Sequence, residues 1–175
     1  MLDNKKIRIA NGQGFWGDSS QAPIDLVNCG NIDYLTMDYL AEVTLSIMQK
    51  QKNKNSKAGY ALDFISFLEK SLLKIKKNKI KIVTNAGGVN PIECKKRILD
   101  IADKLGVEIK VATIAGDDIF AKMDDLIEKG VNFKNLDSGR DIKEVISNVC
   151  SANVYIDSFS IATALSKGAQ IVLAG

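Results

Sequence analysis

The residues whose types and spacing could do chemistry are carboxylates set beside glycines and side-chain amides. Asn11-Gly12-Gln13-Gly14-Phe15-Trp16-Gly17-Asp18-Ser19 joins three glycines, the only tryptophan and a carboxylate in one stretch. Glycine lets a ligand approach the main chain, and large apolar rings are out of place in a plain polar connection, so the stretch reads as a binding loop. Gly12, Gly14, Phe15, Trp16, Gly17 and Ser19 are its candidate ligand contacts, with Asp18 a candidate catalytic carboxylate. Phe15 and Trp16 either cover a ligand or anchor the loop in the core.

Asp38 directly follows the apolar run Tyr34–Met37, where desolvation would favour acid–base work, and Glu42 follows it by one helical turn. Asp38 also suits the cap of the helix after it. Asn85-Ala86-Gly87-Gly88-Val89-Asn90 precedes Pro91, a residue suited to a first helical turn. Asn85, Gly87, Gly88 and Asn90 could therefore cradle a phosphate, carboxylate or thioester oxygen, or Gly87-Gly88 could simply satisfy a turn. Gly116, Asp117 and Asp118 make a further rim, with Gly116 and Asp117 as ligand contacts and Asp118 as an acid or base. A carboxylate at a helix start also serves as a cap. Mg²⁺ held by Asp18, Asp117 or Asp118 is a possible cofactor. Cys94 sits where a helix dipole could stabilise a thiolate, yet shares a face with Ile98, Ile101 and Leu105, which favours a buried structural thiol.

Absent residue types narrow the chemistry further. Histidine is missing from the 175 residues, which excludes imidazole bases, His-containing triads and His-ligated zinc. The glycines of NGQGFWG have the wrong intervals for a dinucleotide fingerprint, and NAGGVN lacks the lysine of a P-loop, so neither NAD nor ATP is expected. Arg8, Arg97 and Arg140 are the only arginines under a net charge of +3, and no arginine-rich face speaks for nucleic acid. No apolar run has membrane-spanning length, Met1–Lys6 lacks a signal-peptide pattern, and three scattered cysteines offer no disulfide framework; a cytoplasmic protein is expected.

These residues need a scaffold, and the periodicity supplies βα alternation. Strands are predicted at Ile7–Ala10, Tyr34–Met37, Ile80–Thr84, Glu108–Ile114, Asn153–Ile156 and Gln170–Leu173. Helices are predicted at Pro23–Val27, Ala41–Met48, about 60–77, about 91–105, about 117–129, 141–149 and Ser158–Lys167. Residues 49–59, QKQKNKNSKAG, read as an exposed, flexible connection. The expected fold is a single α/β domain over 1–175, a mostly parallel sheet with helices on both faces in Rossmann-like layering. Ligands of such sheets bind beyond the carboxyl ends of the strands, and five polar loops are expected to converge there.

NGQGFWGDS, DYLTMDYLAEVTLSI, TNAGGVNP and AGDD, in this order and spacing, resemble the acyclic terpene utilisation (AtuA-like) family. The resemblance extends over nearly the whole chain but covers only the amino-terminal part of the usual family architecture, so the chain is expected to be such a part. Members continue into a glycine-arginine loop, and Tyr155–Phe159 departs from the family's glycine-alanine-proline pattern. The resemblance implies breakdown of acyclic terpenes through branched acyl-CoA intermediates, with a lyase or hydratase-type step and an acyl or acyl-CoA ligand. A homo-oligomer, or a partner chain supplying further elements, is expected. The alternative is a non-catalytic module that binds an anionic metabolite or assembles subunits.

Overall fold

The structure, a computed structural model, describes residues 6–40 and 42–175. Met1 to Lys5, read as the lead into the first strand, and Ala41, read as part of the second helix's apolar face, lie outside the described residues. The chain divides into two compact units, Met1–Ala115 with Asp157–Gly175, and Gly116–Ile156, where the sequence reading has one domain.

The larger unit is a five-stranded, all-parallel sheet: β1 (Ile9–Gln13), β2 (Tyr34–Met37), β3 (Lys81–Thr84), β4 (Val111–Thr113) and β5 (Ile171–Leu173), in the order β1-β2-β3-β5-β4. Helices α1 (Ala22–Cys29), α2 (Glu42–Lys54), α3 (Leu62–Asn78) and α4 (Pro91–Lys104) link the first strands, and α6 (Ser158–Ser166) precedes β5. Contacts of α3 with α1 and α4 place these three side by side on one face. The return from β4 to the inner strand β5 reverses direction, so a right-handed connection puts α6 on the other face. Burial agrees: Ile171, Val172 and Leu173 are all at 0% exposure although successive side chains point to opposite faces.

The core sits under α3. Its Phe64, Leu68, Leu72 and Ile75 recur at helical spacing and pack with Leu35, Ile82 and Ile171 from the sheet. The α1 and α4 expectations hold, with Pro in each first turn and Gly30 closing α1 at φ 71°. Gln49–Lys54, expected in a connection, instead continue α2, because glutamine and lysine are good helix formers even without an apolar stripe. The turn after it is tied down: the Asn90 amide donates to the Ser56 and Ala58 carbonyls at 2.9 and 2.8 Å, and the Val89 N–H donates to the Gly59 carbonyl.

Strand β1 departs from expectation in a way that shapes the site. It runs through Asn11, Gly12 and Gln13, and its register to β2 shifts between Asn11 and Gln13. This bulge turns Gln13, which alternation would place on the open face with Asn11, toward the covered face beside Met37; Gln13 is 3% exposed. Gly12 fits there because a Cβ would lie 2.9 Å from the Pro23 side chain.

The smaller unit is built mainly of turns. The helix expected over 117–129 resolves into a 3₁₀ turn, Phe120–Lys122, and α5 (Met123–Glu128); that expected over 141–149 is two 3₁₀ turns, Ile142–Glu144 and Ile146–Asn148. Asn153–Ile156 is not a strand: only an isolated antiparallel bridge joins Asn153 to Asp118, and Tyr155 is 97% exposed. With no covered sheet face to pack on, the β-branched and aromatic residues of this segment lose their preference for a strand.

Candidate functional site

The carboxyl ends of β1, β2 and β3 gather a continuous set of polar groups. The Asp38 N–H donates to the Gln13 carbonyl at 3.0 Å, and the Thr84 hydroxyl donates to the Met37 carbonyl at 2.8 Å, so the three strand ends are tied together. Asn85 Nδ2 donates to Asp38 Oδ1 at 2.7 Å while Asn85 Oδ1 accepts the Tyr39 N–H at 2.7 Å. The two bonds fix the orientation of the amide, since a flip would set donor against donor. Asp38 Oδ1 also accepts the Leu40 N–H at 3.1 Å, a local turn ahead of α2. Asp38 is exposed, so the desolvation expected of it is not found; its distinction is the held carboxylate. Glu42 is exposed in the first turn of α2.

Asp18, the candidate catalytic carboxylate of the first loop, is bonded within that loop. Its Oδ2 accepts the Gly14 N–H at 3.0 Å and its Oδ1 the Ser19 N–H at 2.7 Å, and these bonds hold its carboxyl below the usual value of 3.8. The two bonds staple the loop between Gly14 and Ser19. Gly17, at φ 98°, allows the turn, and Ser19 Oγ accepts the Ala22 N–H at the start of α1. Trp16 packs on the core and Phe15 is 62% exposed, so the pair divides into an anchor and a free ring.

The expected anion cradle is filled by packing. Gly87 and Gly88 are buried, and a Cβ on Gly88 would lie 2.3 Å from Met48 Sδ. The Gly88, Val89 and Asn90 amides already donate to the Asn85, Gly59 and Gly87 carbonyls. These glycines serve the turn, the other reading open from sequence. Cys94 is at 0% exposure, and burial pushes its thiol up to about 12, which excludes the resting thiolate.

Three residues escaped the sequence reading. Gln13 Nε2 donates to Asp63 Oδ2 at 3.4 Å, from the bulged end of β1 to the first turn of α3. Tyr39, next to Asp38 in the chain, is 1% exposed, its ring edge-on to Phe64 at 6.1 Å. Burial, then the Asp63 charge, raises its phenol far above the ordinary value. Only the bulge, which no local sequence pattern announces, brings Gln13 here.

Within the smaller unit, Asp117 Oδ2 accepts from Asn153 Nδ2 at 3.0 Å and its carbonyl accepts the Val154 N–H, while Asp118 Oδ1 accepts the Phe120 N–H at 3.0 Å. Asp117 thus ties the segment to Asn153–Val154, Asp118 bonds the amide two residues on, and Gly116 supplies a φ of 120°. Asp157, expected in a fifth rim loop, caps α6 by accepting the Phe159 N–H. The rim of the larger unit is thus formed by the loops after β1, β2 and β3. No group of three or more Cys, Asp or Glu side chains able to hold a metal ion occurs among the described residues.

Fold and rim define an α/β protein with an all-parallel sheet and a carboxylate–amide pair beyond its strand ends. The model of the family described as "Acyclic terpene utilisation family protein AtuA" matches residues 7–175, and the chain belongs to that family. No curated protein and no solved structure matches it. No helix among the described residues is long and apolar enough to cross a membrane.

Proposed function

We propose that the chain contributes the proton-transferring edge of an enzyme acting on branched acyl-CoA compounds in acyclic terpene breakdown, with Asp38 as the base. The carrying observation is the Asp38–Asn85 pair at 2.7 Å on an exposed rim. Oδ1 is occupied by Asn85 and the Leu40 N–H, which directs Oδ2 to a substrate. In this step the C–H bond beside the thioester carbonyl breaks, its proton passes to Asp38 Oδ2, and the electron pair moves onto the thioester oxygen as an enolate. The second hydrogen of Asn85 Nδ2 is available to that oxygen. The exposed Phe15 ring offers apolar cover for a branched chain. Branched acyl-CoAs should raise the melting temperature by mass action. Absence of a shift with every acyl-CoA would remove this reading.

A second reading, assembly with another copy of the chain, has its own observation. Parallel sheets are ordinarily covered on both faces, yet Ile9 is 67% exposed and Tyr34, Thr36, Lys81 and Val83 on the same face are half-buried. Sedimentation of the protein and of Val83→Glu tests it: a dimer dissociated by the substitution supports assembly, and a monomeric wild type rejects it.

A further inference from the structure

We propose that Lys50 and Lys54, on the outward side of α2, seat the phosphate groups of the CoA part of the ligand, with its pantetheine arm lying along Val43 and Ile47; the proposal rests on the acyl-CoA reading above. Positions four, seven and eleven residues after Val43 fall on one side of a helix, so Val43, Ile47, Lys50 and Lys54 form a single stripe. All four are exposed, Val43 at 71% and Ile47 at 42%. The opposite side of α2 is the packed one, where Met48 is at 0% exposure and Lys52 Nζ donates to the Val89 carbonyl at 2.7 Å. The stripe is therefore unpartnered, apolar at the end nearer Asp38 in the chain and cationic at the other.

Charge and length select the guest. From Val43 to Leu62 the charged side chains are Lys50, Lys52, Lys54 and Lys57, with no carboxylate among them. The helix dipole accounts for lysines in the last turn, but Lys50 precedes that turn, and neither its ammonium nor that of Lys54 has a hydrogen-bond or ion-pair partner among the described residues. Two such groups suit phosphate oxygens. Helix α2 begins four residues beyond Asp38, the proposed base, and its far end is fixed to the loop that starts at Asn85, through Lys52 on Val89 and through Asn90 on Ser56 and Ala58. Val43 to Lys54 covers about 16 Å at ~1.5 Å per residue. A pantetheine arm, equivalent to about five residues of extended chain, spans much the same length. Inorganic phosphate or a plain nucleotide would use the lysines and leave Val43 and Ile47 bare, whereas CoA, with an extended amide chain between thioester and diphosphate, covers both halves of the stripe.

Calorimetry with 3-methylbutyryl-CoA and with S-3-methylbutyryl-pantetheine, which keeps the arm but carries neither phosphate nor nucleotide, tests this. The CoA ester should bind at least about tenfold more tightly. The double variant Lys50→Gln, Lys54→Gln should erase that difference while leaving affinity for the pantetheine ester unchanged, and the salt dependence of CoA-ester binding should shrink with it. Lys77→Gln with Lys104→Gln removes the same charge from exposed positions on α3 and α4 and should leave both affinities as they were. Ile47→Ser should weaken both esters. Equal binding of the two esters by the unaltered protein, a difference that survives the α2 lysine variant, an equal loss in the α3 and α4 variant, or no effect of Ile47→Ser overturns the seat on α2 and leaves the acyl reading standing. Binding of neither ester overturns both.

Discussion

Two carboxylates that look alike in the sequence separate once their partners are known. Asp18 closes the glycine-rich stretch Asn11–Gly17 and Asp38 follows the apolar run Tyr34–Met37, and both are candidate catalytic carboxylates; Asp18 accepts two backbone amides, and Asp38 is held by Asn85, 47 positions away. A carboxylate's partners decide its role, and distant partners leave no local trace. The folded-state pKa of Asp18 is shifted downward, so its contribution to loop order is present above the ordinary value of 3.8 and lost as pH falls through the lower folded value. Trp16 fluorescence should therefore hold steady from neutral pH to about 4 and change below it; Asp18→Asn should show the change already at neutral pH. Cysteine reactivity gives a second expectation. Native protein at pH 8 should label at Cys29 and Cys150, both exposed, and at Cys94 only after denaturation.

At the scale of elements, helices with a clear apolar stripe were legible and irregular segments were not. Pro91 opens α4 and Gly30 ends α1 as read, because local backbone chemistry decides those points. Burial of Phe64, Leu68, Leu72 and Ile75 follows from a spacing visible in the chain. The 117–129 and 153–156 segments went otherwise because Asp117 and Asp118 bond across to Asn153 and Val154, contacts that neither segment encodes by itself. Packing also decided the glycine loop after β3. Gly88→Ala should destabilise the protein by about 3 kcal/mol, from overpacking against Met48 and the Gly59 carbonyl together with a φ of 51°. A denaturant midpoint unchanged by this substitution would show that the loop relaxes freely.

For the whole molecule, the layering was legible from βα alternation, whereas the division into two units was not, because α5 and the 3₁₀ turns follow the sheet without a composition break. The buried apolar residues lie almost wholly in the larger unit; within Gly116–Ile156 only Met123 is buried among the apolar side chains. Amide exchange should consequently be slowest in β2, β3 and β5 and far faster through Gly116–Ile156. Leu35→Ala, beneath the rim, should cost about 2–5 kcal/mol. The proposed chemistry is that Asp38, in the loop after β2, moves a proton at the carbon beside a thioester. Hydrogen exchange in D₂O, followed by NMR of a branched acyl-CoA, reads that step without requiring the full reaction. The protein should replace the α-hydrogen with deuterium far above the buffer rate, and Asp38→Asn, with an unchanged melting temperature, should return exchange to that rate. Exchange undiminished in Asp38→Asn, or none with the unaltered protein, would contradict the account.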